Sequence, residues 1–488
     1  MAGISFTQIP SDLRVPGQYF EIDNSRGGSK GTGYKKRILV LGQRLTSGTG
    51  TALVPTLIQS VSQVAGEAGY GSHLHNVVAA LRNANRYTEA WYVAIADDGA
   101  GVAATKTVTI TGPATGAGTI ALYIGGVQVL TGVASGDAAT AIATNLAAAI
   151  NAVSILPFTA AAVGAVVTLT CRHKGAWGND HDVRLNYYAG DVLPLGVGVT
   201  IATGVSGTTN PSIAAAIAAL GDQVFTHWVM PWNDAANMAL LNTELERRWG
   251  GTVMKEGLGF TAVPGSLATV TTWGTSHNYK LICAMDAGLS PTPPYVFAAA
   301  TAGVDAFEPI PNRPRQTLLL PGCLPPKQGL ERRMDEANIL LHDGIATFMV
   351  DSGGNCLIQR LVTNYQLNAW GIADDSYLDI EKMTLLITLR FERRKRIAQR
   401  FPRCRLVKNG SRVQAGSDII TLNDIRDDAF AQARDWVEYG WIQDDMTAFK
   451  NGYRNEIPDS DPNRVNEVIP PDCVGGLRVF AGLIQFLN

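Results

Sequence analysis

The sequence predicts a multidomain α/β protein, α+β overall, with a three-layer core, a second domain inserted into that core, and extended arms at both ends. Three observations carry this. Apolar strand-like runs alternate with helix-period segments on either side of a long gap. The gap, Gly99 to about Gly207, is nearly free of charge and rich in Gly, Ala and Thr. The two chain ends, by contrast, cannot build cores of their own.

The 488 residues suffice for several cores. Charged residues make up 17% and hydrophobic residues 46%, which fits a globular or assembly-forming chain and excludes a disordered one. A net charge of −2 gives no overall pull toward nucleic acid or anionic lipid. Six scattered cysteines without a CxxC pair read as reduced thiols of a protein made in a cytoplasm. The N-terminus lacks the features of a signal peptide. The uncharged tracts Ala138–Thr170 and Val192–Gly221 are too soft to span a bilayer, so no membrane insertion is expected.

Residues 1–35 read as an extended arm. Val15-Pro16-Gly17 is a turn, Tyr19–Asp23 a strand-like piece carrying Tyr19, Phe20 and Ile22, and Gly27–Gly33 a hinge. The α/β core is assigned to 36–98 plus 208–325. Its first part holds a strand at Arg37–Leu41, a helix through Val77–Ala84 and a strand at Ala90–Ala96. The inserted α+β domain, 99–207, holds strands at Thr105–Ile110, Ile120–Ile124, Val166–Cys171 and Val183–Tyr187 and a helix at Ala138–Ala149. An insertion without core contacts tolerates deletion, so joining Asp98 to Thr208 should leave a folding protein.

The core resumes with helix Ser212–Leu220, strand Phe225–Met230, helix Ala235–Trp249 and strand Gly259–Val263. Helix Leu267–Gly274, strand Lys280–Cys283 and helix Tyr295–Ala302 complete it. A proline-rich linker, Pro309–Pro326, opens a C-terminal α+β domain, 326–476. Here a helix stripe of Leu330, Met334, Ala337 and Leu341 precedes strands Ile345–Val350 and Cys356–Val362. A long helix, capped from Asp374, Asp375 or Ser376 and ended by Pro402, is apolar over Met383–Leu389 and cationic beyond. Arg390, Arg393, Arg394, Lys395, Arg396 and Arg400 face a single Glu392 there. A further helix is expected over Thr421–Tyr439.

Residues 477–488 form the last segment, a strand expected to pair outside its own subunit. Leu477, Val479 and Leu483 lie on one face and Phe480, Ile484 and Phe486 on the other. Each is worth about 1.5–3 kcal/mol on burial, so solvating all of them costs on the order of 10 kcal/mol. Such a strand belongs in the middle of a sheet.

Catalytic constellations are weak. His173, Asp180, His181 and Asp182 crowd the loop RHKGAWGNDHD, but their spacing fits no metal signature and a solvated loop is the expectation. Ser72, His73 and His75 sit on one turn, where neighbours cannot face each other as nucleophile and base. No phosphate loop exists, since Gly27–Gly33 precedes a strand and GxxxxGK[ST] is missing. Asn409-Gly410-Ser411 is read as a turn. The basic helix lacks an aromatic platform and is offset by the acidic end of the chain, so nucleic acid is not an expected partner. Arg393, Arg394, Arg396 and Arg400 form a candidate face for an acidic partner, with an ordinary solvated helix face as the other reading.

Taken in order, VPGQYFEID, AGYGSHLHNVVAALRNANRYTEAWYVAIAD, KGAWGNDHDVRL and ERRMDEANILLHDGIATFMVDSGGNCLIQRLVTNY with the basic helix resemble the tail sheath proteins of contractile-tailed, Mu-like phages. The resemblance covers most of the chain and rests on order and extent, not on a catalytic motif. It implies a non-enzymatic virion component, assembled in the bacterial host cytoplasm and needing no cofactor. Hexameric rings would stack helically around the tail tube and contract to drive it through the host envelope. The partners implied are other copies of the chain, the tail tube, and baseplate and tail terminator proteins. Terminal strands exchanged between subunits would occupy both coreless ends, inserting beside Ile345–Val350 and Cys356–Val362, with Val474–Gly476 as the joint. The competing readings are an α/β enzyme with an unrecognised active site and another tail or baseplate structural protein.

Overall fold

The computed structural model describes residues 34–412, 414 and 417–486, a mixed α/β chain. Tyr19, Phe20 and Ile22 lie outside those residues. Lys35–Arg403 with the tail from Cys473 make one compact unit, and Cys404–Asp472 belong to another.

The first unit opens with β1 (Arg37–Gln43), β2 (Thr56–Leu57), α1 (Val61–Ala68), α2 (His73–Ala84) and β3 (Glu89–Ile95). Ser60 and Ser72 start the two helices, their hydroxyls accepting from the Gln63 and His75 amides. Next come β4 (Ala103–Thr111), β5 (Gly118–Ile124), β6 (Val127–Val133), α3 (Ala139–Ala152), β7 (Phe158–Val163), β8 (Val166–Lys174), β9 (Val183–Leu185) and β10 (Gly198–Thr203). The chain then runs through α4 (Ala214–Leu220), β11 (His227–Val229), α5 (Ala235–Trp249), β12 (Leu258–Pro264), α6 (Leu267–Thr275), β13 (Ile282–Gly288) and α7 (Pro294–Phe307). α8 (Met334–His342), β14 (Ile345–Val350), β15 (Cys356–Arg360) and α9 (Ile380–Arg400) complete the unit.

One eight-stranded sheet organises it, in the order β15-β14-β13-β12-β11-β1-β3-β2. Its inner pairs are parallel, and only β2 and β15 are antiparallel to their neighbours. Ile38–Leu41 and Ile282–Met285 read as unbroken apolar runs because both faces of such strands are buried. Successive residues of β11 show the two faces. His227 bonds Asp305 of α7, while the Trp228 ring lies under the Arg248 guanidinium of α5.

Between β3 and α4 the chain builds two further sheets, β10-β4-β8-β7 and β6-β5-β9, with α3 packed against strands of both. Strands β6, β7 and β10 were not expected from sequence. β7 (FTAAAV) is half alanine, which has little β preference, and β6 follows a glycine pair that reads as a loop; β10 (GVTIAT) is β-branched over four of its six residues but lies in a Gly- and Thr-rich stretch read as loop.

The long helix begins at Ile380, with Asp379 as its N-cap residue. The sequence placed the cap at Asp374–Ser376. Asp374 instead accepts from the Ser376 amide and the Tyr365 hydroxyl, closing the loop that precedes the helix.

The second unit holds β16 (Arg405–Val407), β17 (Ile419–Thr421), α10 (Leu422–Glu438), α11 (Met446–Gly452), β18 (Arg454–Glu456) and β19 (Asn466–Val468). Thr421 and Asp424 form a reciprocal capping box at the start of α10. Ile425, Ala429, Trp436 and Phe449 are buried. Its strands make two two-stranded ribbons, β16-β17 and β18-β19. Among the described residues no helix is long and apolar enough to cross a membrane.

Candidate assembly interface

The C-terminal tail is the most apolar exposed surface of the described chain. Leu477, Val479, Phe480, Leu483, Ile484 and Phe486 are 72% to 93% exposed, and residues 477–486 form no strand within this chain. The sequence's strand is therefore absent from the lone subunit: backbone groups here have no ladder partner, and an extended segment cannot pair with itself.

The edge the sequence assigned to receive such a strand is already covered. Thr317 and Leu320 donate their amides to the Ile358 and Cys356 carbonyls, and Ile358 donates back to Leu318. Residues 317–320 thus run antiparallel along the outer side of β15. The proline-rich linker hid this, because Thr317–Leu320 (TLLL) carries no alternation to mark it as a strand.

The ribbons β16-β17 and β18-β19 differ. Among the described residues neither has a third strand, and Val468 of β19 is an exposed apolar side chain at such an edge. Two-stranded ribbons are marginal alone, so each gains from a further strand.

On α9, Arg393 is 8% exposed and does not belong to an open face of the chain. It falls on the face of buried Leu385 and Leu389, eight and four residues before it along the helix. Arg394 and Arg400 are exposed and Arg396 is half-buried. Arg390 is taken up internally, bonding Glu256 at 2.7 Å and lying over the Trp249 ring.

The histidine loop is not solvated, which corrects the sequence reading. Gly175 takes φ 137°, and a Cβ there would sit 2.7 Å from Trp177 Cδ1, so the glycine lets the chain fold under. Trp177 then stacks on His73 of α2 with ring centroids 4.0 Å apart, and His181 packs edge-on against both Trp177 and Phe158. Trp232 and Tyr295 close the cluster around His73. His73, His173 and His181 are all buried. Burial, then the neighbouring histidine charges, holds His73 well below the usual imidazole range. Burial, helped by Lys106, pushes His181 down to about 3.

This arrangement packs but does not catalyse. His173 Nδ1 lies 2.6 Å from Asp97 Oδ1, yet its Nε2 meets no nucleophile. Ser72 is spent on capping α2, where its Oγ accepts from the His75 amide at 3.1 Å. Among the described residues no group of three or more His, Cys, Asp or Glu could hold a metal ion. Sequence reasoning also missed a buried ion network. Asp305 accepts from Arg315 at 2.7 Å and contacts His227 at 2.9 Å. Burial opposes its charge, but Arg315 and then His227 hold its pKa below the ordinary carboxylate value. Its members stand 10 and 78 residues apart in sequence, so no local pattern announces it.

Comparison with known proteins decides the family. The chain is 35% identical over 486 residues to the Mu-like prophage FluMu tail sheath protein of Haemophilus influenzae, covering 99% of each. The chain belongs to the phage tail sheath protein family. Residues 206–364 of this sheath protein match the phage tail sheath protein central domain, a segment that holds β11 to β15 of the large sheet. The sheath tail protein of Desulfitobacterium hafniense aligns with 94% of this chain and 100% of its own, at 12% identity and a TM-score of 0.47. The helical sheath of the anti-feeding prophage in its contracted state aligns over 98% and 99%, at 11% identity and a TM-score of 0.45. Members of the family are structural components of contractile tails, not enzymes, and so is this chain.

Proposed function

We propose that this chain is the repeating subunit of a contractile phage tail sheath, in which hexameric rings stack around the tail tube and shorten to drive it through the host envelope. The observation that carries the reading is the C-terminal tail, where six large apolar side chains within ten consecutive residues stand in water. A lone subunit of this kind is incomplete, and a neighbouring copy is the partner that every subunit meets. Strand addition satisfies the tail's backbone and covers its side chains in one step. The ribbons β16-β17 and β18-β19, which have no third strand among the described residues, suit the acceptor role, because the β15 edge is filled by residues 317–320. Tyr19, Phe20 and Ile22 would act likewise from the other end.

Arg394, Arg396 and Arg400 would face the tail tube or an acidic neighbour, and baseplate and tail terminator proteins would bound the array. Assembly would take place in the host cytoplasm, without cofactor. Residues 36–98 with 208–325 would form the core, whose sheet β14 and β15 extend, 99–207 would form an outer domain, and the part of 326–476 beyond that sheet would link subunits. Contraction would draw on subunits relaxing from a strained packing into one that buries more surface. Negative-stain microscopy of the purified protein tests this. Long striated cylinders are expected, and a monodisperse small particle at every concentration would contradict it.

A further inference from the structure

We infer that Arg478 is the positioning residue of the C-terminal strand: bound to Asp379 and Glu381 of its own subunit, it fixes where the donated strand leaves. The inference rests on the strand-donation reading and adds what holds the strand's root.

Glu381 lies in the first turn of α9 and is 4% exposed. Its carboxylate makes no hydrogen bond to any other group, and Arg478 is its only ion-pair partner among the described residues. A buried carboxylate without a cation is strongly unfavourable, so Glu381 demands this guanidinium. Asp379, the N-cap residue, does not cap the helix with its side chain. It is shared instead, 2.9 Å from Arg360 and 3.5 Å from Arg478. Two neighbouring contacts secure the same root. Gln316 donates to the Leu477 carbonyl at 3.3 Å, and a Cβ on Gly476 would lie 2.5 Å from Pro314 Cγ.

The last contact moves the joint. Val474–Gly476 was the expected hinge, but Gly476 is pressed against Pro314 and is glycine for want of room. The free segment therefore begins at Val479, with Gly482 as its flexible point, and Val479–Phe486 is what remains to be donated. A subunit that rotates during contraction would keep its strand root fixed and bend beyond it.

Full-length protein held below its assembly concentration tests this, with trypsin as the probe. Cleavage after Arg478 requires the guanidinium to leave both carboxylates. Glu381→Gln should accelerate that cleavage about tenfold by releasing the root. It should also raise the concentration needed for cylinders without lowering the thermal midpoint of the free subunit, because the buried charge is gone. Asp379→Asn provides a second variant, expected to change the same two readouts in the same direction. Equal cleavage rates in all three proteins would overturn the clasp. Failure of strand donation would show differently: a chain ending at Arg478 would still form cylinders while the cleavage contrast persisted.

Discussion

The histidine–tryptophan junction and the C-terminal tail are two concentrations of large side chains with opposite fates. At the junction, Trp177, Trp232, Tyr295 and Phe158 are buried, and His73 and His181 are buried with them although their ring nitrogens find no hydrogen-bond partner. In the tail, purely apolar side chains stand in water. The difference lies in whether the chain supplies its own second surface. The loop Gly175–Asp180 lies against α2 and α7 of the same subunit, so packing outweighs the lost hydration of the imidazoles. Among the described residues the tail meets no such surface, and on the strand-donation reading a second copy would supply it.

If the junction is internal core, removing it should unfold the subunit. Excising 99–207 by joining Asp98 to Thr208 would strip Trp177, His173 and His181 from His73, Trp232 and Tyr295. The clean separability expected from composition therefore gives way to an expected insoluble product. The milder change Trp177→Ala should lower stability by about 3–5 kcal/mol, read from urea unfolding of the dilute subunit. A loss below about 1 kcal/mol would show that the insertion is only resting on the core.

Acid should act on the same place. His181 stays neutral in the folded subunit down to about pH 3, and His73 well below the ordinary 6.5, whereas both take protons near 6.5 when unfolded. Below that value the unfolded chain binds more protons, so stability present above pH 6.5 falls as pH drops toward 3. Asp180, pushed up to about 7 by burial, works in the opposite sense and cancels about one of the two protons. With two histidines against one carboxyl, the net expectation at this junction is stability that falls as pH drops below about 6.5. His181→Phe should flatten this slope, and a urea midpoint independent of pH over that range would contradict neutral burial.

The smallest effect belongs to the basic helix. Replacing the two exposed residues Arg394 and Arg400 with Glu should leave the subunit folded, since exposed charges contribute little to stability. Sheath–tube or sheath–sheath binding should weaken most at low salt, and the difference from the unaltered protein should shrink as salt rises. Arg393 is left out because it is buried, and reversing it would test folding instead of binding.

Much of the fold was readable because parallel strands and amphipathic helices write themselves locally. Ile38–Leu41, Ala235–Trp249 and Ile345–Val350 lie where apolar runs and caps placed them. What escaped was set by distant partners. Thr317–Leu320 runs along β15 only because that edge needs covering, and Arg478 becomes an anchor only because Glu381 is buried 97 residues upstream, the difference of the two positions. His173 and His181 looked solvated because a run of Gly, Asn, Asp and His normally is. Trp177, between them, was the signal that the loop turns inward.

The central claim is that the exposed tail is the connector between subunits. The most direct measurement compares full-length protein with a chain ending at Arg478, which keeps the clasp and removes only the exposed strand. Sedimentation velocity and negative stain at matched concentrations read the result. The account predicts a folded, soluble monomer with an unchanged melting midpoint and no cylinders from the shortened chain. Cylinders of normal length and striation from that chain would contradict it.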